Sequence, residues 1–452
     1  MCTLREEDMC SQEGRTRVPH DAAIAAFAAT LPQASSDPAL PGGRDHYHRQ
    51  LLADRLSWSE GAVVVAPHAL VTEVLTDADT YRATRVIPPL PHGVTSTVLA
   101  ALEDELSTAP TLSTTDGPDH MRMRRIVDQA FTDERVTSRI GLMVHQVSSL
   151  LARRESRRWA ELRAHVVAPC VDAVVDDLFG FPPRDRRLIH GFGEAATLLA
   201  NGRNAPAAPL LTAIHIHKHQ QYIAQLVTEQ TAAMQRGEPC DNLITDLVRA
   251  HDDTTLTGDE LRWTIFEARG QASEPTVLMI LSVVDTLLRT GAWAQLQHTD
   301  PDDRTARISR AVDEIARIRT PRRGVLRTTS REVELDGRRL PEGTPLVCMI
   351  AAANLDADVF PRPHDLVLTR QNRRDHLTFG AGAHHCAGAK VATTIARVVI
   401  DGVLSLPNLR LARPEHYEQT ASRCLSGPKS LLVSWHDAAT PPTGRTGRTE
   451  RT

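Results

Sequence analysis

The sequence predicts a mainly α protein, one large helical domain carrying small β-sheets, and three observations carry this. Aromatic residues are scarce, with five Trp, four Tyr and eight Phe in 452 residues, so Leu, Val, Ile and Ala must fill the core, which suits packed helices. Apolar residues recur at helical spacing through most of the stretch from Asp119 to about Ala250, and again from Thr257 to Thr290. Period-two patterning is confined to short runs near the start and in the last third.

Taken in order, residues 1–18 are polar and aperiodic and read as a disordered segment ahead of a domain over 19–436. GAVVVAPH (61–68) is a β-branched run bounded by Gly and Pro, and the helically spaced ALVTEVLTD follows it, a strand leading into a helix. MRMRRIVDQAF (121–131), the run 152–179 and IHKHQQYIAQLVTEQTAAMQR (216–236) form a helical array punctuated by Pro and Gly. Thr257-Gly-Asp-Glu opens the longest helix, with a capping residue followed by acids in the first turn, and Pro275 lies deep inside it. After RISRAVDEIARI (307–318), the run 331–352 switches to period two around Asp-Gly and Pro-Glu-Gly turns, a small hairpin sheet. A helix over 387–406 and a strand in SLLVSW (430–435) close the fold, and the Pro-, Gly- and Thr-rich tail 437–452 reads as disordered.

Composition excludes several functions. With 52 Lys and Arg against 56 Asp and Glu the net charge is −4, which offers no footprint for nucleic acid or an anionic membrane. The seven cysteines are odd in number, scattered and without a C-x-x-C pair, so neither a disulfide framework nor a zinc site is expected. His215 and His219 share a helix face, but no carboxylate sits at useful spacing, and the run reads as a solvated helix. The first residues are charged where a signal peptide needs an apolar core, and no run approaches a membrane span, so a soluble cytoplasmic protein is expected. Only three lysines accompany the many arginines, a skew that points to a GC-rich bacterial genome.

The most informative segment is Phe379-Gly-Ala-Gly-Ala-His-His-Cys-Ala-Gly-Ala389, a glycine-rich loop running into the final helix. Glycines let backbone pass close to a bulky group, and Cys386 sits where the helix directs unpaired N–H groups and its positive dipole end, features that favour a thiolate. The run F-G-x-G-x-H-x-C-x-G, from Phe379 to Gly388, resembles the haem-binding signature of the cytochrome P450 superfamily, with every motif position filled. The resemblance implies that Cys386 is the axial ligand of a haem b iron, that Phe379 shields the sulfur, and that His384 meets a haem propionate.

Further matches follow the family's order and bring the likeness to roughly residues 60–436. Glu314-Ile-Ala-Arg317 resembles E-x-x-R, neighbours at i, i+3 on one helix. In the family this pair closes a buried structural network with a downstream arginine, and Arg370 in VFPRPHDLVLTR matches that partner. Asp116-Gly-Pro-Asp-His120-Met-Arg-Met-Arg124 resembles the family's D-P-P-x-H-x-x-x-R. Its His120 and Arg124 share a helix face, so both can reach one propionate. Arg327 in TPRRGVLRTT occupies the position of the propionate arginine.

One segment departs from the pattern. The family's A-G-x-[D/E]-T-[T/S] is matched by Gln271-Ala-Ser273-Glu274-Pro275-Thr276, which puts Glu274 on the acid and Pro275 on the oxygen-activating threonine. Proline removes an N–H and clashes with the carbonyl of Gln271, so a kink that holds the oxygen groove open is expected, without a hydroxyl at 275. Ser273 and Thr276 lie about 200° and 100° away on the helix, so neither replaces it directly. Arg322 and Arg323, just before Arg327, are substrate-carboxylate candidates, as Gln271 is a substrate contact.

Together these imply a haem-thiolate monooxygenase, an oxidoreductase of bacterial secondary metabolism acting on a small organic molecule with dioxygen. Glu274, Ser273, Pro275 and Thr276 frame the catalytic groove. Electrons come from a separate ferredoxin and ferredoxin reductase, because the chain has no flavin or iron–sulfur signature, and Arg122, Arg125 and Lys390 are docking charges. The alternative keeps the haem but changes the chemistry to peroxide use, rearrangement or N–O/O–O cleavage, because Pro275 replaces the threonine. A non-catalytic haem sensor or carrier would need no distal acid, which Glu274 supplies.

Overall fold

The computed structural model describes residues 43–59, 62–83, 111–191, 208–420 and 424–436, so the segments 1–18 and 437–452 lie outside the described residues. The N-terminal part alternates: α1 (Gly43–Asp54), β1 (Leu56–Ser59), β2 (Ala62–Val65), α2 (His68–Thr76) and β3 (Tyr81–Ala83). The helical array follows with α3 (Gly117–Ala130), α4 (Asp133–Ser138), α5 (Ile140–Ala152), the short strand β4 (Trp159–Glu161), α6 (Ala168–Phe179), α7 (Ala208–Gln235) and α8 (Leu243–Asp252). Next come α9 (Gly258–Arg289), α10 (Ala292–Gln297) and α11 (Pro301–Ile318), then β5 (Val325–Thr329), β6 (Val333–Leu335), β7 (Arg338–Leu340), β8 (Pro345–Cys348) and α12 (Ile350–Ala353). The chain closes with α13 (Ala389–Leu404), β9 (Arg410–Leu411) and β10 (Leu432–Ser434).

Helix α9 is the axis of the bundle. Thr257 accepts from the Glu260 N–H while the Glu260 carboxylate accepts from the Thr257 N–H, a reciprocal cap that satisfies two otherwise orphaned donors. Its second half is buried almost all round, from Thr276 to Asp285, because α6, α11 and α13 pack on it from different sides. The main core joins Val171, Val174 and Leu178 of α6 with Ile280, Val283 and Val284 of α9 and Ile395, Val399 and Val403 of α13. No helix among the described residues is long and apolar enough to cross a membrane.

The strands build three sheets. The largest has the order β1-β2-β8-β5-β3, with β8 parallel to β2 and antiparallel to β5. The period-two run therefore divides: β6 and β7 form a two-stranded hairpin across Asp336-Gly337, both with positive φ, while β8 leaves it for the larger sheet. β8 is buried at every position, a continuous apolar run that pays no penalty in the sheet's middle. β4, β10 and β9 make the third sheet, which ties the end of the chain to the start of α6.

Candidate active site

The cysteine loop is fixed before α13 begins. Gly380 and Gly382 have φ of +72° and +69°, and a Cβ on Gly382 would stand 2.4 Å from the Leu75 carbonyl oxygen, so no other residue fits there. The Cys386 N–H donates to the Phe379 carbonyl at 2.8 Å and the His385 N–H to that of Gly382 at 3.0 Å, closing the loop on itself. Among the described cysteines, Cys170 and Cys348 are buried, their thiols pushed up to about 12 by desolvation, whereas Cys386 is exposed. Crowding by the loop still raises the Cys386 thiol. The Gly388 and Ala389 amides and the cations Arg322 and Arg124 pull it the other way.

The residues matched to propionate binding gather on one side of this loop. His120, 1% exposed, stacks against His384 with ring centroids 4.2 Å apart, and its Nε2 is buried without a partner. Burial, then the neighbouring His384 and Arg124, lowers its pKa to about 4, so it is neutral. His384 Nε2 lies 2.9 Å from Asp116 Oδ1, and Asp116, the opening residue of the His120 motif and without a role legible in the sequence, also accepts from the Ala83 N–H. Arg124 donates to the carbonyls of Ala383 at 3.1 Å and His385 at 2.6 Å and pairs with Asp128, so it clasps the cysteine loop. Arg327 is buried on β5. Its guanidinium gives one hydrogen bond, to the Leu326 carbonyl, and no carboxylate among the described residues pairs with it.

Behind the loop, Glu314 and Arg317 are fully buried and doubly bonded, at 3.0 and 2.8 Å. Arg370 adds a 2.9 Å bond to Glu314 and caps the carbonyls of Pro361 and Arg362, while Arg317 reaches those of Asn354 and Pro363 and lies over the Phe360 ring. Every charge in this cluster is met. Phe379 packs on the main core from the loop. Arg323 is buried, its N–H bonded to Cys424, and Arg322 bridges to Leu425, so both belong to the strand-like contact beneath the last loop.

On the other side, α9 runs unbroken through Pro275, which has no N–H to return to Gln271. Thr276 Oγ1 donates to the Ala272 carbonyl at 2.8 Å, spending its hydroxyl proton on its own helix. Ser273 accepts from Arg269, whose other donors reach Asp172 and Asp176 of α6. Glu274 is paired at 2.6 Å with Arg163, a residue ahead of α6 that the sequence did not mark, and both are 27% exposed. Gln271 Nε2 donates at 3.0 Å to Glu267, which also accepts from the Ser113 N–H and hydroxyl. Burial raises the Glu267 carboxyl above the ordinary range. Arg163 and Glu267 carried no motif: one pairs across 111 residues and the other across 154, separations that only the fold closes.

Elsewhere, Arg122 spends its guanidinium on Glu260, Asp119 and the Thr255 carbonyl, and Lys390 pairs with Asp133, while Arg125 is exposed. His219 is buried against Phe266, ring centroids 4.9 Å apart, not solvated as its polar surroundings in sequence imply.

Comparison with known proteins bears directly on this arrangement. The family model for cytochrome P450 matches residues 308–429, which spans the Glu314 cluster and the cysteine loop. Nocardicin C N-oxygenase of Nocardia uniformis is 29% identical over 387 residues, 84% of this chain and 91% of that protein. Cytochrome P450 CYP107DY1 of Priestia megaterium is 28% identical over 341 residues, 75% and 80% of the two. The P450 haem domain of Tepidiphilus thermophilus superposes with a TM-score of 0.79 at 23% identity, covering 91% of this chain and 97% of that one, a likeness of fold. The family model over the cysteine loop, bacterial relatives matched across most of their length and a fold shared over 91% of the chain together support a member of the cytochrome P450 superfamily, an oxidoreductase.

Proposed function

We propose that this chain is a monooxygenase that binds one haem b through Cys386 and oxidises a small organic molecule of bacterial secondary metabolism. Dioxygen is the oxidant, and a separate ferredoxin and its reductase supply electrons. The observation that carries the reading is the pairing of an exposed Cys386 with buried, unanswered partners beside it. Among the described residues His120 Nε2 has no hydrogen-bond partner, and Arg327 is a buried cation with no ion pair, Asp116 acting on it only from a distance. Both are costly unless something meets them, and the propionates of a haem meet both. When bound, the haem supplies the thiolate-ligated redox centre at which dioxygen is activated.

The chain's own groups do the rest. Cys386 would hold the iron, and Arg124 clasps its loop through two carbonyls. Glu274 is the proton carrier at the groove. Its partner Arg163 cannot give up a proton at neutral pH, so the proton passes to Glu274 from water or substrate when the pair opens. Pro275 contributes shape without a hydroxyl, and Thr276 and Ser273 are already engaged.

That same proline favours a second reading, in which the oxidant or an N–O or O–O bond arrives with the substrate. Anaerobic incubation separates the two: the monooxygenase forms no product without dioxygen, and anaerobic product establishes the second. Haem ligation is tested by the ferrous–CO spectrum of the wild type and of Cys386→Ala.

A further inference from the structure

Helix α9 carries a polar ladder on the face that leads to Pro275. Residues four apart on a helix lie on one face, so Glu267, Gln271 and Pro275 line up, and the 3.0 Å bond from Gln271 to Glu267 shows the first two in contact. Ser113, which also bonds Glu267, stands shortly before α3, the helix of His120 and Arg124. The Glu267 carboxylate thus faces the side on which the haem-binding residues gather, eight residues or about 12 Å along the helix from Pro275.

The partners of this carboxylate among the described residues are neutral: the Ser113 amide and hydroxyl, the Gln271 amide, the Thr111 side chain and the Leu112 amide, and no described Lys, Arg or His forms an ion pair with it. The other carboxylates of α9 differ: Asp259 meets Arg262, Glu260 meets Arg122, Glu274 meets Arg163 and Asp285 meets Arg289. One turn earlier on the same face, Thr264 is 2% exposed with its Oγ1 unpartnered, although the equivalent hydroxyl of Thr276 bonds its own helix. Burial without a counter-ion disfavours the charged form of this carboxyl, and a cation brought beside it would restore that form and be held by it.

We infer that Glu267 is a specificity residue on this face of α9 and anchors a cationic nitrogen of the substrate, with Gln271 and Ser113 orienting the carboxylate. This rests on the reading that the α9 face is the wall of the oxidation site. The carbon to be oxidised then lies up to about 12 Å from the nitrogen, the span from Glu267 to Pro275. The substrate class is an elongated amine, protonated or quaternary.

The test uses probes that differ only in charge, the choline and 3,3-dimethylbutyl esters of a series of straight-chain acids, titrated by calorimetry into the haem-loaded protein. A charge-assisted contact is expected to make the wild type bind the choline ester about tenfold tighter than its neutral twin. Glu267→Gln should erase that preference while leaving the neutral ester's Kd within about threefold, since the amide keeps the shape and the Gln271 contact. Equal binding of the two esters by the wild type overturns the inference without any variant, as does a preference that survives in Glu267→Gln. The ferrous–CO spectrum of the same samples reports separately on Cys386. A histidine-type band with an intact choline preference would remove the haem-thiolate reading and leave the cation anchor standing.

Discussion

The two sides of the site are built on opposite terms. Behind the cysteine loop, Glu314, Arg317 and Arg370 form a buried cluster in which every charge has a partner, and Gly382 fits against Leu75 with no space for a side chain. On the α9 face around Pro275 the contacts are looser: the Glu274–Arg163 pair is partly open to water, Pro275 offers no N–H to the Gln271 carbonyl, and the donors to Glu267 among the described residues are neutral. A completed network holds one geometry. An incomplete one waits for what it binds, so the first side suits a permanent group and the second a substrate that comes and goes.

Breaking the completed side should cost most. Glu314→Ala strands two buried guanidinium groups, and the expected loss is about 3–5 kcal/mol, read as a lowered urea midpoint together with failure to retain haem. A stable, fully loaded variant would show that the cluster is not what holds this side.

Acid should act next, through His219 on the α9 side. Burial, then Arg269, lowers its pKa to about 3, so the folded protein holds it neutral while the unfolded chain protonates near 6.5. The folded pKa is depressed, the unfolded state binds more protons between those values, and stability falls as pH drops from about 6.5 towards 3. The slope from this group is at most about 1.4 kcal/mol per pH unit. His219→Leu should flatten the limb of a stability–pH curve in that window.

The partly exposed Glu274–Arg163 pair is expected to matter less for stability. Arg163→Met should cost no more than about 1 kcal/mol in unfolding experiments, because both partners are solvent-screened, yet it frees Glu274 and should alter the pH profile of turnover. The smallest structural effect is expected from Pro275→Thr. It restores a helix N–H and a hydroxyl, and should lower the hydrogen peroxide released per NAD(P)H consumed with generic substrates while leaving the unfolding midpoint near that of the wild type.

The contrast also explains what the sequence made legible. The cysteine loop is local: its glycines, its cysteine and the helix after it are contiguous, so spacing alone carries the chemistry. Glu314 and Arg317 are three residues apart on one helix, and their partner Arg370 follows in a short, patterned segment. Glu267 and Arg163 stand in helices whose periodicity said only that they were polar positions; their meaning lies in Ser113 and Glu274, which the fold delivers. The same holds for β8, whose local turns suggest a hairpin with β6 and β7, while its four buried residues find a better place between β2 and β5. His384 and Arg124, named through the family resemblance, lie beside the cysteine loop, and their partners Asp116, Ala383 and His385 follow from tertiary packing.

The central claim is that Cys386 ligates a haem iron as a thiolate, and the carbon monoxide difference spectrum of the reduced protein tests it most directly. Thiolate ligation gives the red-shifted Soret band in the wild type and its loss in Cys386→Ala. A wild-type band at the histidine-ligated position, or a red-shifted band that survives in Cys386→Ala, would contradict it.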